Sequence, residues 1–258
     1  MNGQKDIIGP QMPTPESENY KRKGFDLMGS VMSKECATEL KSDISDWLGP
    51  SPKTNHYGIL RNNCWREIPS LERQLEPLAQ ITMKRLGTRS LTLFQDNLIW
   101  KSPRGQQAIS WHQDFAYWPL SAPMGLTVWI ALDDSDVDNG CVHVIPESHT
   151  LGVFAATNFT EPGTASWADN QSEFELNTHA KEAKALPIQS GYGLAFHPLL
   201  WHMSPANTSN RDRCAWSLTW ITDEVLWDPD HAPHPFCHWL QPQKNDRIEG
   251  NQFPRFSR

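Results

Sequence analysis

The sequence has no long hydrophobic run. No window nears the roughly 20 consecutive apolar residues of a membrane span, and the stretch Met1 through Pro15 is polar, without an apolar signal core. Basic charge is not in excess either. With 23 Lys and Arg against 30 Asp and Glu, the net charge is -7, which argues against phosphate-led nucleic-acid binding. The short cluster Lys21-Arg22-Lys23 reads as a solvated face. Cysteine is sparse. Cys36, Cys64, Cys141, Cys214 and Cys237 are odd in number, widely spaced and without a CxxC pair. That excludes a disulfide framework and a zinc knuckle, and leaves small buried apolar side chains. Internal repeats and low-complexity tracts are missing too. The expectation is a soluble, cytoplasmic protein in a reducing compartment, with no nucleic-acid or membrane partner.

A chain of 258 residues can bury most of its unfolded surface as one domain. Residues 1–23 are polar and proline-rich and read as a flexible arm, with a single domain over 24–258. Ser33 is a candidate N-cap. Ala37, Leu40, Ile44, Trp47 and Leu48 follow it at helical spacing, stopped by Gly49-Pro50. A second helix is expected from Ser70 to Leu86, with Pro77 as a kink or a break. After Gly87 the pattern becomes short β-type runs: Thr92–Trp100, Leu126–Leu132, Cys141–Ile145, Leu194–His197 and Cys214–Thr222. Asn139-Gly140 between two of these runs is a hairpin signal. This rhythm predicts a mainly β fold, a double-stranded β-helix (a cupin-like jelly roll) with flanking helices. The polar stretch from about 151 to 184 is read as a lid over the active-site mouth.

The most informative segment is Ser110-Trp111-His112-Gln113-Asp114. In an extended strand, residues two apart leave the same face, so His112 and Asp114 can supply two ligands to one ion. A third comes from His202, in His202-Met203-Ser204-Pro205-Ala206-Asn207. Two imidazoles and one carboxylate on one face of an octahedron form the facial triad of non-haem Fe(II) oxygenases. If 2-oxoglutarate is the cosubstrate, its far carboxylate needs an arginine, whose planar fork matches it. Arg211 and Arg213 both follow the distal histidine, and Ser204 is placed to add a hydrogen bond.

The order HxD, distal HxSxxN and downstream Arg resembles the phytanoyl-CoA dioxygenase (PhyH-like) family of Fe(II)/2-oxoglutarate-dependent oxygenases. The likeness also runs through Gly24-Phe25-Asp26-Leu27, Phe94-Gln95-Asp96-Asn97-Leu98 and Trp111-His112-Gln113-Asp114 with Tyr117-Trp118-Pro119. It continues in Thr127-Val128-Trp129-Ile130-Ala131-Leu132 and Ile145-Pro146-Glu147-Ser148-His149. Altogether it spans roughly residues 24–222. Glu147 departs from it, standing where the family usually has glycine.

The resemblance implies a dioxygenase with Fe(II), 2-oxoglutarate and O2, acting on a small-molecule substrate and releasing succinate and CO2. It implies His112, Asp114 and His202 as metal ligands and catalytic centre. Arg213, rather than Arg211, is expected at the 2-oxoglutarate C5 carboxylate, with Ser204 assisting. Lys101, Trp129 and Gln95 are expected in the cosubstrate pocket, and Trp118 with Gln95 toward the substrate. In related halogenases a small residue replaces the carboxylate, so Asp114 favours hydroxylation over halogenation. His197 and His149 are expected to position loops. His231, His234 and His238 are interrupted by Pro233 and Pro235 and read as an adventitious cluster. Of the 12 tryptophans, Trp47, Trp216 and Trp220 are expected in packing. Trp118, Trp167, Trp201 and Trp227 could reach the substrate.

Overall fold

Helices come first because the apolar residues there recur at helical spacing, and strands take over once the period falls to two. A computed structural model describes residues 18–54, 58–105, 108–154, 156, 179–232 and 240–258. Helix α1 (Glu18–Lys23) leads into β1 (Phe25–Ser30), and α2 (Lys34–Leu48) follows. Ser33 caps α2, its hydroxyl accepting from the Cys36 amide at 3.1 Å. After β2 (Ile59–Asn62) comes α3 (Pro69–Leu86), ended by Gly87 in the left-handed region. Pro77 neither breaks nor splits α3. It lies on the exposed face, where the carbonyl it leaves unpaired can turn to water. Residues 18–23 are not a loose arm: Tyr20 is buried and its hydroxyl donates to the Gly125 carbonyl at 2.8 Å.

The remaining strands are β3 (Ser90–Lys101), β4 (Ile109–His112), β5 (Gly125–Ala131), β6 (Val142–Val144) and β7 (Lys184–Leu186). They are followed by β8 (Tyr192–Phe196), β9 (His202–Ser204), β10 (Arg213–Ile221) and β11 (Arg255–Ser257). Two antiparallel sheets result. The larger runs β1-β8-β5-β10-β3-β11 with β2 also on β3, and the smaller runs β4-β9-β6-β7. This is the predicted double-stranded β-helix with flanking helices.

The Asn139-Gly140 expectation needs correction. A turn does form, with the Asn139 side chain accepting from the Asp136 amide and donating to the Asp134 carbonyl. It joins no hairpin, however. The strand before it, β5, pairs with β8 and β10, whereas β6 after it pairs with β7 and β9 in the other sheet. Local turn chemistry specifies the reversal and not the partner.

Strands β5 and β10 are buried on both faces. Their outward residues, Leu126, Val128 and Ile130 with Trp216, Leu218 and Trp220, pack against Leu40 and Ile44 of α2 and Leu71, Leu78 and Met83 of α3. Truncating a fully buried residue such as Trp216 would cost about 3–5 kcal/mol. Inward, Trp129, Ala131 and Ala215 meet Val142 and Val144 of the smaller sheet. A third cluster, with Phe94, Phe115, Trp118, Trp227 and Phe253, ties the C-terminal segment to one end of the sandwich.

Candidate active site

Strand register sets the centre. Strands β4 and β9 pair antiparallel so that His112 lies directly opposite His202. Their ring centroids are 4.1 Å apart. Asp114 is not on the strand: β4 ends at His112, and Asp114 opens a 3-10 turn over Asp114–Tyr117. The same-face argument survives because Gln113 between them is still extended (φ -112, ψ 132). Asp114 Oδ1 is 3.5 Å from Nε2 of both His112 and His202. The potential ligand atoms of the three residues all lie within 4.8 Å of one another.

Neighbouring groups orient all three. His112 Nδ1 is 2.8 Å from the Ser110 carbonyl and His202 Nδ1 is 2.9 Å from the Leu200 carbonyl. Each Nδ1 therefore carries the proton, and Nε2 presents its lone pair toward Asp114. The Thr127 hydroxyl donates to Asp114 Oδ2 at 2.9 Å. Burial and then the His112 charge push His202 down to about 4, so its imidazole is neutral at neutral pH. Burial alone would raise Asp114, but His202, His112 and Thr127 outweigh it and hold the carboxyl below its ordinary range.

These residues line a cavity of about 420 Å³ between the two sheets. Arg213 enters it from β10, almost fully buried at 1% exposure. One guanidinium nitrogen donates to Ser204 Oγ at 3.0 Å, and the group lies 5.5 Å from the Trp129 ring. Its Nε and Nη1 are buried without a hydrogen-bond partner. Burial lowers its pKa to about 10, so it stays cationic at neutral pH. Arg211, its competitor in the sequence, is exposed and ion-paired with Asp136. The choice between them comes from strand geometry: Arg213 opens β10 with its side chain on the inner face.

The remaining expected residues divide. Gln95, Trp118, Trp129 and Ser204 line the cavity. Ser204 donates its proton to the Gly140 carbonyl at 2.8 Å while accepting from Arg213. Lys101 is not part of the wall. Its fully buried amine sits behind β9, donating to the Ser204 carbonyl at 2.8 Å and to the Pro205 carbonyl. Burial, followed by the Arg213 charge, lowers its pKa to about 6. Trp47, Trp216 and Trp220 pack in the outer core, Trp201 beside Ile145, and Trp227 next to Trp118. Trp167, His234, His238, Cys237 and residues 155 and 157–178 of the expected lid lie outside the described residues. His231 Nε2 is 3.1 Å from the Phe115 carbonyl and is not part of the His112–Asp114–His202 cluster. His149 and His197 face each other at 5.2 Å and bond to backbone groups, as loop-positioning residues should.

Two site residues escaped the sequence reading. Thr127 was the inward-facing hydroxyl two positions before Trp129, a period-two signal that could have been used. Gln113 points away from the ligands, donating to the Gly152 and Leu199 carbonyls and accepting from the Phe154 amide. It thereby ties three segments behind the triad.

The donor set fits the implied metal: two imidazoles that present Nε2 and a carboxylate suit a facial Fe(II) site and leave positions open. The unpartnered nitrogens of Arg213 fit the far carboxylate of 2-oxoglutarate, because a buried cation without a partner is costly.

Residues 30–215 match the family model described as phytanoyl-CoA dioxygenase (PhyH). The chain is 31% identical over 174 residues to phytanoyl-CoA dioxygenase domain-containing protein 1 of Rattus norvegicus, covering 64% of this chain and 55% of the relative. It is 28% identical over 164 residues to L-proline trans-4-hydroxylase of Streptomyces griseoviridis, covering 55% of this chain and 58% of that protein. It thus spans just over half the length of these curated relatives. Among solved structures it is similar to the non-heme alpha ketoglutarate dependent carbocyclase SnoK from nogalamycin biosynthesis, with a TM-score of 0.77 and 22% identity over 96% of this chain and 100% of the other. With the family model matched over most of its length and a His-Asp-His centre beside a buried arginine, the chain belongs to the phytanoyl-CoA dioxygenase (PhyH) family of Fe(II)- and 2-oxoglutarate-dependent oxygenases.

Proposed function

We propose that this protein is a dioxygenase that hydroxylates an unactivated C–H bond of a small molecule, consuming 2-oxoglutarate and O2 and releasing succinate and CO2. The observation that carries the reading is the convergence on one cavity of a His112–Asp114–His202 cluster and a buried guanidinium with two unpartnered nitrogens.

In this reading His112, Asp114 and His202 hold the iron. The Ser110 and Leu200 carbonyls keep each histidine in the tautomer that presents Nε2, and Thr127 orients Asp114. Arg213 anchors the C5 carboxylate of 2-oxoglutarate, with the Ser204 hydroxyl beside it and Trp129 as one wall. When bound, iron, 2-oxoglutarate and O2 supply the oxidising chemistry that removes the substrate's hydrogen and delivers oxygen. The chain's own task is to position substrate near that centre and exclude water, for which the apolar wall of Ile109, Phe196 and Trp118 is suited. The Asp114 carboxylate occupies the position that a halide would need, which supports hydroxylation over halogenation. Desaturation, epoxidation and ring formation use the same machinery. The carbocyclase named among the fold's neighbours keeps ring formation as the second reading.

The test is succinate release from 2-oxoglutarate by anaerobically purified, Fe(II)-loaded protein after O2 is added, with and without a library of small molecules. Succinate that rises with one compound, together with a product heavier by one oxygen, supports hydroxylation. A product lighter by two hydrogens supports the second reading. No succinate from folded, iron-loaded protein sinks both.

A further inference from the structure

Local helix geometry sets Tyr117 beside the metal cluster. Tyr117 closes the 3-10 turn that Asp114 opens. Side chains three positions apart eclipse in such a turn, so Tyr117 leaves it on the side of the Asp114 carboxylate. Its ring also meets the His112 ring edge-on, with centroids 6.2 Å apart. One aromatic ring thus stands against two of the three expected ligands, and it lines the cavity.

This ring is also the accessible one. Among the described residues, the other non-histidine aromatic side chains lining the cavity are Trp118, Trp129 and Phe196, and all three are buried, whereas Tyr117 is half-buried. Phe196 comes nearer a ligand, its ring 4.5 Å from that of His202, but it is packed in a core cluster with Val142, Leu194 and Leu200. Chemistry separates the two further. The phenol oxygen of tyrosine feeds electron density into the ring carbons beside it, and a phenyl ring has no such group. Met203 borders the cavity too. It sits between the inward His202 and Ser204 on β9, however, and alternate strand residues leave opposite faces.

We propose that Tyr117 is a modification site: when the protein loaded with iron and 2-oxoglutarate meets O2 without substrate, it hydroxylates its own Tyr117 ring beside the phenol. The reaction balances. O2 accepts four electrons. Two come from 2-oxoglutarate, which loses its C1 carboxylate as CO2 and keeps one oxygen atom in succinate. Two come from the ring, where a C–H bond breaks, the other oxygen atom enters as C–OH, and a catechol results. A substrate seated in the cavity intercepts this oxidation, because suppressing side reactions is one task of a filled site.

This inference rests on the iron and 2-oxoglutarate reading, and the test separates the two. Protein loaded anaerobically with Fe(II) and 2-oxoglutarate is exposed to O2 with no substrate. It is then digested for peptide mass spectrometry, and succinate is measured in the same sample. The peptide holding Tyr117 is expected to gain one oxygen atom, drawn from isotopically heavy O2, and to gain none when 2-oxoglutarate is left out. A second measurement needs no turnover. In Co(II)-loaded protein with isotope-labelled tyrosine rings, the Tyr117 resonance, identified by its loss in Tyr117→Phe, should shift furthest of the 4 tyrosines. An unmodified Tyr117 in protein that shows the Co(II) shift would overturn the inference and leave the metal centre standing. So would oxygen on Phe196, Trp118 or Met203 instead, or a larger shift at another tyrosine. Absence of succinate together with absence of any Co(II)-dependent shift overturns the iron and 2-oxoglutarate reading, and the inference with it.

Discussion

Thr127 Oγ1 donates to Asp114 Oδ2 at 2.9 Å, from a strand of the larger sheet to a turn that follows the smaller one. The carboxylate that completes the His-Asp-His cluster is therefore held by the opposite layer of the sandwich.

Replacing this hydroxyl should loosen the metal without abolishing it. Thr127→Val is expected to weaken Fe(II) or Co(II) binding by roughly 10–100-fold, the usual cost of losing a group that orients a ligand. Thr127→Ser should recover most of the affinity. Equilibrium dialysis of the variants checks this, and unchanged affinity in Thr127→Val would remove Thr127 from the site.

Arg213 is a buried cation with two unpartnered nitrogens, so cosubstrate should stabilise the folded protein. At 2-oxoglutarate a hundredfold above its Kd, wild type is expected to gain about 2.7 kcal/mol. Arg213→Met should lose that response while matching or exceeding wild-type stability without ligand, since an apolar side chain removes the desolvated charge. Arg213→Lys should retain only a weak response, because a point charge cannot pair bidentately. Denaturant melts with and without 2-oxoglutarate read all three.

Lys101 should behave as a strut. Its amine satisfies the Ser204 and Pro205 carbonyls. Lys101→Met leaves both buried without that donor and is expected to cost about 2–4 kcal/mol. Affinity for 2-oxoglutarate should fall as Ser204 shifts. A variant as stable as wild type with only cosubstrate binding lost would instead make Lys101 a direct ligand.

Asp96 gives a pH signature away from the site. It is fully buried, and its Oδ2 accepts from Trp216 Nε1 at 2.7 Å and from the Trp65 amide at 3.2 Å. Burial raises its carboxyl to about 6 from an ordinary 3.8. Because the folded value is the higher one, its contribution is fully present below about pH 4 and is lost as pH rises through 6. Asn at this position keeps an acceptor and carries no charge. Asp96→Asn should therefore gain stability relative to wild type between pH 4 and 8, by up to about 3 kcal/mol. Urea melts across that range check it, and a difference independent of pH would mean that Asp96 does not titrate there.

Short-range signals explain what could be read in advance. The Ser33 cap, the stop at Gly87 and the β-type run Cys214–Thr222 depend on neighbours a few residues apart, and each appears in the structure. Pro77 does not break α3, because its tolerance depends on which face of the helix meets solvent, and packing sets that. The Asn139-Gly140 hairpin was misassigned because a turn motif carries no information about which sheet the next strand joins. Lys101 was expected in the cosubstrate pocket; it lies opposite Arg213 in the sheet, and its amine is taken up by the Ser204 and Pro205 carbonyls.

The sequence alone therefore determined the periodicities, the helix ends, the sandwich class and the ligand types of the candidate metal centre, because each is encoded by adjacent residues or by side-chain chemistry. Only the tertiary structure decided that His112 faces His202 across β4 and β9, that Thr127 holds Asp114, and that Asn62, Asn97 and Ser217 form one row. These relations join residues 13 or more positions apart. Strand register creates them, and register is settled by burial of the whole sheet rather than by any local stretch of chain.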